Sequence, residues 1–268
     1  MERFNHKYTG GVNLDYYIND TTGRIFLSVL ICLAAIFYCA APVRAEGTAA
    51  SPPEINHQFN LGTGYENNRT LGERWELRGI YRLEYDSHYR LQTGLSYNGK
   101  TGYINGAFLE LGYDNLKDSQ YSARLKLLGM QYAQYGIAAN SIIPFLNWRN
   151  TDYEVDIGLN YRYTHGDADR LWNIFDYNGD VSEIILYYRL GWNIPLRDER
   201  YALAIEFKNN HEFYAGNLGA YAIFINGSYR INRQAKIYGN LGLWQSGSIA
   251  LSAVYYKTTL HAGFEVQL

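Results

Sequence analysis

Cysteine is nearly absent. The 268-residue chain has two, Cys32 and Cys39, both inside one early apolar stretch. Nothing after Cys39 can form a disulfide, a thiolate metal site or a cysteine nucleophile. Proline is scarce at 5 copies. An excess of one charge is also missing: 24 Lys and Arg face 26 Asp and Glu, a formal net charge of -2. That excludes a general affinity for nucleic acid. Apart from one early segment, long apolar runs are absent, and a mean hydropathy of -0.32 is too polar for a helical membrane protein. It does not exclude a membrane barrel, in which alternate strand residues face a polar interior.

Tyrosine and glycine are abundant, at 27 and 26 copies. Tyrosine suits strands and membrane interfaces, where the ring is buried and the hydroxyl stays wet. Residues 1–23 are polar and irregular, and read as an unstructured extension or a start codon placed too early. Residues 24–45 read as a secretory signal. Arg24 is a positive flank, Ile25 to Val43 is almost continuously apolar, and Val43-Arg44-Ala45 suits signal peptidase. Cleavage is expected after Ala45, which leaves a mature chain without cysteine. The alternative is an uncleaved anchor, since the run approaches the ~20 residues that span a bilayer. Residues 46–56, with Pro52-Pro53, read as a flexible lead-in.

From residue 57 to 268 apolar residues recur at every second position, the period of a strand. Phe59 to Tyr65 and Trp75 to Tyr85 open the series. Tyr89 to Tyr97 follows and closes on Asn98-Gly99, a hairpin signal. Ala107 to Tyr113 and Tyr121 to Leu127 come next. Ser141 to Trp148 is the weakest, because Pro144 removes a ladder donor. Tyr153 to Tyr163, Ile184 to Ile194, Tyr201 to Phe207, Tyr221 to Ile231, Ile237 to Leu243 and Thr258 to Leu268 complete the set. The count is about 12, in a range of about 10 to 14, and an even number suits a single-chain bacterial barrel.

Loop lengths support the count. Asp86-Ser87, Asp114 to Ser119, Arg149 to Asp152, Leu196 to Arg200 and Asn232 to Ala235 are short. Glu66 to Glu73, Tyr132 to Ala139, Thr164 to Asp180, Asn209 to Gly219 and Gln245 to Tyr256 are longer, with Asn98 to Gly102 the exception. Short periplasmic turns and long outer loops are expected of a membrane barrel. Aromatic residues at strand ends, such as Trp75, Tyr85, Tyr153, Tyr163 and Trp192, suit two interfacial girdles.

The opposite phase carries the charge. Arg78, Arg82, Arg90, Arg124, Lys126, Arg162, Arg189, Lys208 and Arg230 are basic; Glu76, Glu84, Glu110, Glu154, Asp156, Glu183, Glu206 and Glu265 are acidic. These residues and His261 are expected to line a lumen, because Lys or Arg facing lipid at midplane would cost about 2–4 kcal/mol. Gly62, Gly64, Gly94, Gly106, Gly112, Gly158 and Gly191 share that phase and leave room for long side chains. His261 and Glu265 read as a hydrogen-bonding pair.

The last stretch alternates strictly to the final residue, with Thr258, Leu260, Ala262, Phe264, Val266 and Leu268 on one side. It resembles the C-terminal signal of bacterial outer-membrane β-barrels, departing only in ending on Leu268 where Phe or Trp is usual. The chain is therefore similar to that class: all-β, an antiparallel up-and-down transmembrane barrel after a cleaved signal peptide. The resemblance implies the bacterial outer membrane as location, with Phe264, Val266 and Leu268 as the assembly signal. It implies outer-membrane lipid and lipopolysaccharide, periplasmic chaperones and the barrel assembly machinery as partners.

Candidate chemistry is sparse. Asp176-Tyr177-Asn178-Gly179-Asp180 partly matches a calcium loop but lacks its final Glu. His165, beside Asp167 and Asp169, and His211 both fall in outer loops with acids nearby, where a rim protease could place an Asp and a His. Ser228 and Ser252 have no hydrolase motif around them, and the His-x-Ser-Asn-Gly pattern of outer-membrane phospholipases is missing. No cofactor is expected. The balanced inward charge leads to the expectation of a narrow, weakly selective channel for small polar solutes. The alternatives are a closed structural or surface-interaction barrel acting through its outer loops, and an outer-membrane lipid hydrolase or protease.

Overall fold

The computed structural model describes residues 54–68, 72–86, 88–99, 102–116, 120–132, 137–165, 180–209, 221–246 and 254–268. The proposed extension and signal peptide, and most of the lead-in, lie outside these residues.

Twelve strands run in chain order: β1 (Ile55–Asn68), β2 (Gly72–Tyr85), β3 (Tyr89–Asn98), β4 (Tyr103–Tyr113), β5 (Tyr121–Tyr132), β6 (Ile137–Arg149), β7 (Tyr153–His165), β8 (Val181–Ile194), β9 (Tyr201–Asn209), β10 (Tyr221–Arg230), β11 (Ala235–Ser246) and β12 (Val254–Gln267). Each pairs antiparallel with its sequence neighbour, and β12 returns to β1 to close the barrel. The closing seam runs from Gln58 opposite Gln267 to Asn68 opposite Lys257. At its end Leu268 N–H donates to the His57 carbonyl at 2.9 Å. Among the described residues no edge strand is left, so the paired segments satisfy their backbone through their neighbours, as the hydrocarbon core requires.

The period of two fixes the faces. Phe59, Leu61, Trp75, Leu77, Leu95, Ile157, Ile184, Leu190, Ile225 and Leu260 are all exposed apolar residues on the outer wall. A soluble protein does not leave such a belt in water; lipid is its natural solvent. Phe264 and Leu268 are exposed on the same wall. Trp75, Tyr89, Tyr97, Tyr153, Tyr163 and Trp192 stand at strand ends, exposed as well. Thr63 and Thr93 sit on this outward phase and return their hydroxyl hydrogens to the carbonyls of Glu76 and Phe108.

At one end the turns are tight because side chains cap them. Asn150 Oδ1 accepts from the backbone of Asp152 and Tyr153 at 2.9 and 2.6 Å. Asn232 Oδ1 does the same for Gln234 and Ala235. Asp198 accepts from the backbone and guanidinium of Arg200, whose hydrogen bonds hold its carboxyl below the usual range.

Several strands run further than the apolar alternation indicates. β1 and β2 continue to Asn68 and from Gly72, so Glu66 and Glu73, expected in a loop, are paired in the ladder. The outward phase there is polar, with Glu73 and Asn67 exposed, so the pattern ends before the strand does. β6 extends from Ile137 to Arg149 and absorbs Pro144. Its pairing with β7 skips Ile143 and Pro144, and resumes at Phe145 opposite Gly158. A Cβ on Gly158 would strike the Pro144 carbonyl and Phe145, so the close approach there needs glycine.

Leu61 lies midway along β1 and faces outward. Leu61→Arg is expected to cost about 2–4 kcal/mol in denaturant unfolding from lipid vesicles, and inward Asn60→Arg clearly less. Equal costs would mean that the two faces are misassigned.

Candidate functional site: the lumen

The inward phase places long side chains over glycines. Gly64 of β1 faces His261 of β12 on one side and Glu76 of β2 on the other. Without a Cβ on Gly64 the two meet across it, and His261 Nε2–H donates to Glu76 Oε1 at 2.8 Å. Arg78 Nη2 reaches the same oxygen at 2.7 Å. The expected pair of His261 with Glu265 is therefore corrected. Glu265 binds Lys236 at 2.6 Å, because β11 is its cross-strand neighbour. Tyr238 uses the device twice: its ring passes over Gly263 and Gly62, and its hydroxyl donates to Asn60 at 2.5 Å.

On the sector β3 to β9 the inward charges interlock. Arg90 and Arg124 flank Gly112 and converge on Asp114, at 3.0 Å each. Arg90 also holds Glu84, and Arg124 holds Glu110, both at 3.1 Å. Arg189 is shared among Glu154, Asp156 and Glu206 at 3.0, 3.5 and 2.9 Å. Asn147 donates to Glu154 and Asp156. Arg162 pairs with Glu183 at 2.6 Å, its side chain sealed from solvent. Between these ion pairs Ile143, Phe145 and Tyr187 form a buried apolar plug.

A cavity of about 830 Å³ is lined mainly by β1 to β5 and β9 to β12. Its lining extends from Thr151, Asn193 and Ala202, at the end with the capped turns, to Glu66, Arg74 and Trp244 near the other end. Each carboxylate on that wall has a cation at short range: Glu66 has Arg74 at 2.7 Å, Glu76 has Arg78 at 2.7 Å, Glu206 has Arg189 at 2.9 Å and Glu265 has Lys236 at 2.6 Å. The wall is thus charged yet locally compensated.

Of the residues expected in the lumen, Glu76, Arg78, Lys126, Glu206, Lys208, His261 and Glu265 line this cavity. Glu84, Arg90, Glu110, Arg124, Glu154, Asp156, Arg162, Glu183 and Arg189 belong to the interlocked charge groups. Arg82 binds Gln58 and Gln92, and Arg230 is exposed at the barrel end. Sequence reasoning missed Glu66, Arg74 and Lys257, which lie beyond the apolar alternation. It also missed Phe108, Phe224 and Trp244, inward aromatics that a simple polar-in rule assigns nowhere.

The remaining candidates resolve simply. At the outer rim His165 Nδ1 lies 2.8 Å from Asp180 Oδ1, and Tyr163 donates to the other oxygen. The other acids of that loop, together with His211 and Ser252, lie outside the described residues. Ser228 is on the cavity wall.

No protein-family model matches the chain, and no curated protein matches it in sequence. Solved structures do. NanC porin superposes with a TM-score of 0.52 at 12% identity, covering 78% of this chain and 100% of that one. KdgM porin gives 0.47 at 12% identity, over 77% and 98%. The Salmonella typhi outer membrane phospholipase dimer with bound calcium gives 0.42 at 11% identity, over 78% and 90%. At such identities the likeness is one of fold: this chain is a transmembrane β-barrel of the bacterial outer-membrane type.

Gly64→Val is expected to push His261 off Glu76 and cost about 1–3 kcal/mol in unfolding, as overpacking does. Adding His261→Ala to that variant should recover part of the loss by vacating the space. No recovery in the double variant would contradict the glycine-gap account.

Proposed function

We propose that the barrel is a narrow, weakly selective channel for small polar solutes, set in the outer membrane. The observation that carries this reading is the lengthwise cavity, whose lining among the described residues runs from the capped turns to Glu66, Arg74 and Trp244 near the other end. Barrels near eight strands are packed and those of 16–18 leave open channels. A barrel of 12 strands lies between, and here one sector is filled while the other is hollow. The filled sector makes the path narrow.

Weak selectivity follows from charge pairing. A lumen that discriminates strongly by sign needs an uncompensated ring of one charge. Here the short-range ion pairs along the cavity leave mixed signs on its wall, so ions of either sign meet a compensated surface. The wall is also wet in kind: Asn60, Ser96, Asn226, Ser228 and Asn240 offer donors and acceptors between the charges. A small hydrated solute can exchange water for these groups without losing its hydrogen bonds.

In planar bilayers the purified protein is expected to give small, steady current steps, with a reversal potential near zero in a potassium chloride gradient. Silence from a protein that is folded, heat-modifiable and inserted would overturn the channel reading in favour of a filled barrel that acts through its outer loops.

A further inference from the structure

One inward row of side chains runs along the cavity wall from β2 to β10. Glu76 of β2, His261 of β12, Asn240 of β11 and Asn226 of β10 lie in register, with Gly64 of β1 as the gap between the first two. All four residues line the cavity. They are also bonded end to end. His261 Nε2 is 2.8 Å from Glu76 Oε1, and its Nδ1 is 3.4 Å from Asn240 Oδ1. Asn240 Nδ2 donates to Asn226 Oδ1. The chain of bonds stops at Asn226 Nδ2, which is buried without a partner among the described residues.

The direction of each bond bears on the charge of the ring. Arg78 Nη2 donates to Glu76 Oε1 at 2.7 Å, so this oxygen serves as an acceptor and His261 Nε2 carries a hydrogen toward it. Nδ1 faces an oxygen as well, and a ring that donates from both nitrogens is an imidazolium. A neutral ring needs a donor at Nδ1 instead. Turning over the amides of Asn240 and Asn226 together supplies it, because an amide offers an acceptor at one end and donors at the other. Asn240 Nδ2 then donates to His261 Nδ1, and Asn226 Nδ2 donates to Asn240 Oδ1. The atom left over at Asn226 becomes a carbonyl oxygen rather than an N–H, the less costly group to leave unpaired. The row thus accommodates both charge states without moving a strand.

The charges around the ring are paired. β2 presents Glu76 with Arg78, and also Arg74, which binds Glu66 of β1 at 2.7 Å. On β12 itself, Lys257 lies 3.4 Å from the same Glu66, and Glu265 holds Lys236 of β11 at 2.6 Å. β11 adds the Tyr238 hydroxyl, which is bonded to Asn60. With a neutral ring, Glu76 and Arg78 cancel each other. An imidazolium adds one positive charge to the wall, and Glu76, the acid of the row, is already matched by Arg78. Histidine is the side chain that changes charge between about pH 5 and 8. Of the described histidines, His261 is the one on this cavity: His57 and His165 lie on the outward phase, and His88 lies in the turn after β2.

Building on the channel reading, we propose that His261 determines the charge selectivity of the lumen and that protons set it. With the ring neutral, the wall passes small ions of either sign alike. With the ring protonated, the added charge favours anions over cations. The amides of Asn240 and Asn226 are the relay that keeps the ring bonded in both states.

Reversal potentials of the full protein in a potassium chloride gradient, taken at about pH 8 and about pH 5, test this. The chloride-to-potassium permeability ratio is expected to rise about twofold or more on acidification and to return at the higher pH. His261→Gln should lose the shift, and His261→Lys should prefer chloride at both pH values, each variant being checked for heat-modifiable migration. No shift in the unaltered protein would overturn the proposal, as would a shift that persists in His261→Gln. The ring is also read without current, by nitrogen NMR of histidine-labelled protein in detergent, with the His261 signals identified by their loss in either variant. One protonated nitrogen, Nε2, is expected at the higher pH and two at the lower. Protonation of Nδ1 alone at the higher pH, or one state throughout, would overturn the relay. The two readings fail separately: silence in bilayers removes the channel and the selectivity role with it, whereas current without a pH shift keeps the channel and removes the role.

Discussion

Every backbone N–H and C=O that crosses hydrocarbon must find its partner inside the protein, and the rest of this structure depends on that constraint. The seam between β1 and β12 meets it by closing the ring. Closure fixes a lipid face and a lumen face on every strand. Charges are then confined to the lumen phase, since an arginine at the midplane of the lipid face would cost about 2–4 kcal/mol. Arg78, Arg124 and Arg189 are therefore crowded inward by exclusion, and the lumen must find room and counter-charges for them.

Glycine supplies the room. Gly64 and Gly112 each stand between longer side chains on the two adjacent strands, which meet or pass over them, and Gly62 with its neighbour Gly263 makes room for Tyr238 of β11. The counter-charges come as shared carboxylates, with Asp114 holding two arginines and Arg189 holding three acids. Removing one member of such a group leaves another charge uncompensated in a poorly solvated place. These groups therefore act as bracing, and with the plug of Ile143, Phe145 and Tyr187 they fill one sector. Opposite them the small inward residues Gly62, Ser96, Ala202 and Ser228 leave the cavity.

Much of the fold was legible because the membrane imposes a strict period of two. The twelve strands, the inward phase of Glu76 or Arg189, and the short turns at Asn150 and Asn232 could all be read from alternation and turn chemistry. The outer ends of β1 and β2 could not. There the outward phase becomes polar, as at Asn67 and Glu73, while the ladder continues. Pairing inside the lumen was less legible still. That His261 meets Glu76 rather than Glu265 depends on the registers of β12, β1 and β2 together, and on the gap at Gly64. Trp244 and Phe224 were missed because their polarity contradicts the phase that they occupy.

The central claim is a lumen filled on one side and open on the other, and water access to single cysteines tests it most directly. In a chain with Cys32 and Cys39 changed to serine, Ser96→Cys and Ser228→Cys sit on the cavity wall, whereas Ser141→Cys and Asn160→Cys sit in the filled sector, where the native residues are 4% and 1% exposed. A charged, water-soluble methanethiosulfonate should modify the first pair rapidly in membrane-embedded protein and leave the second pair unreacted. Uniform reaction at all four positions would mean a lumen open throughout, and protection at all four a lumen that is shut; either would contradict the half-filled barrel.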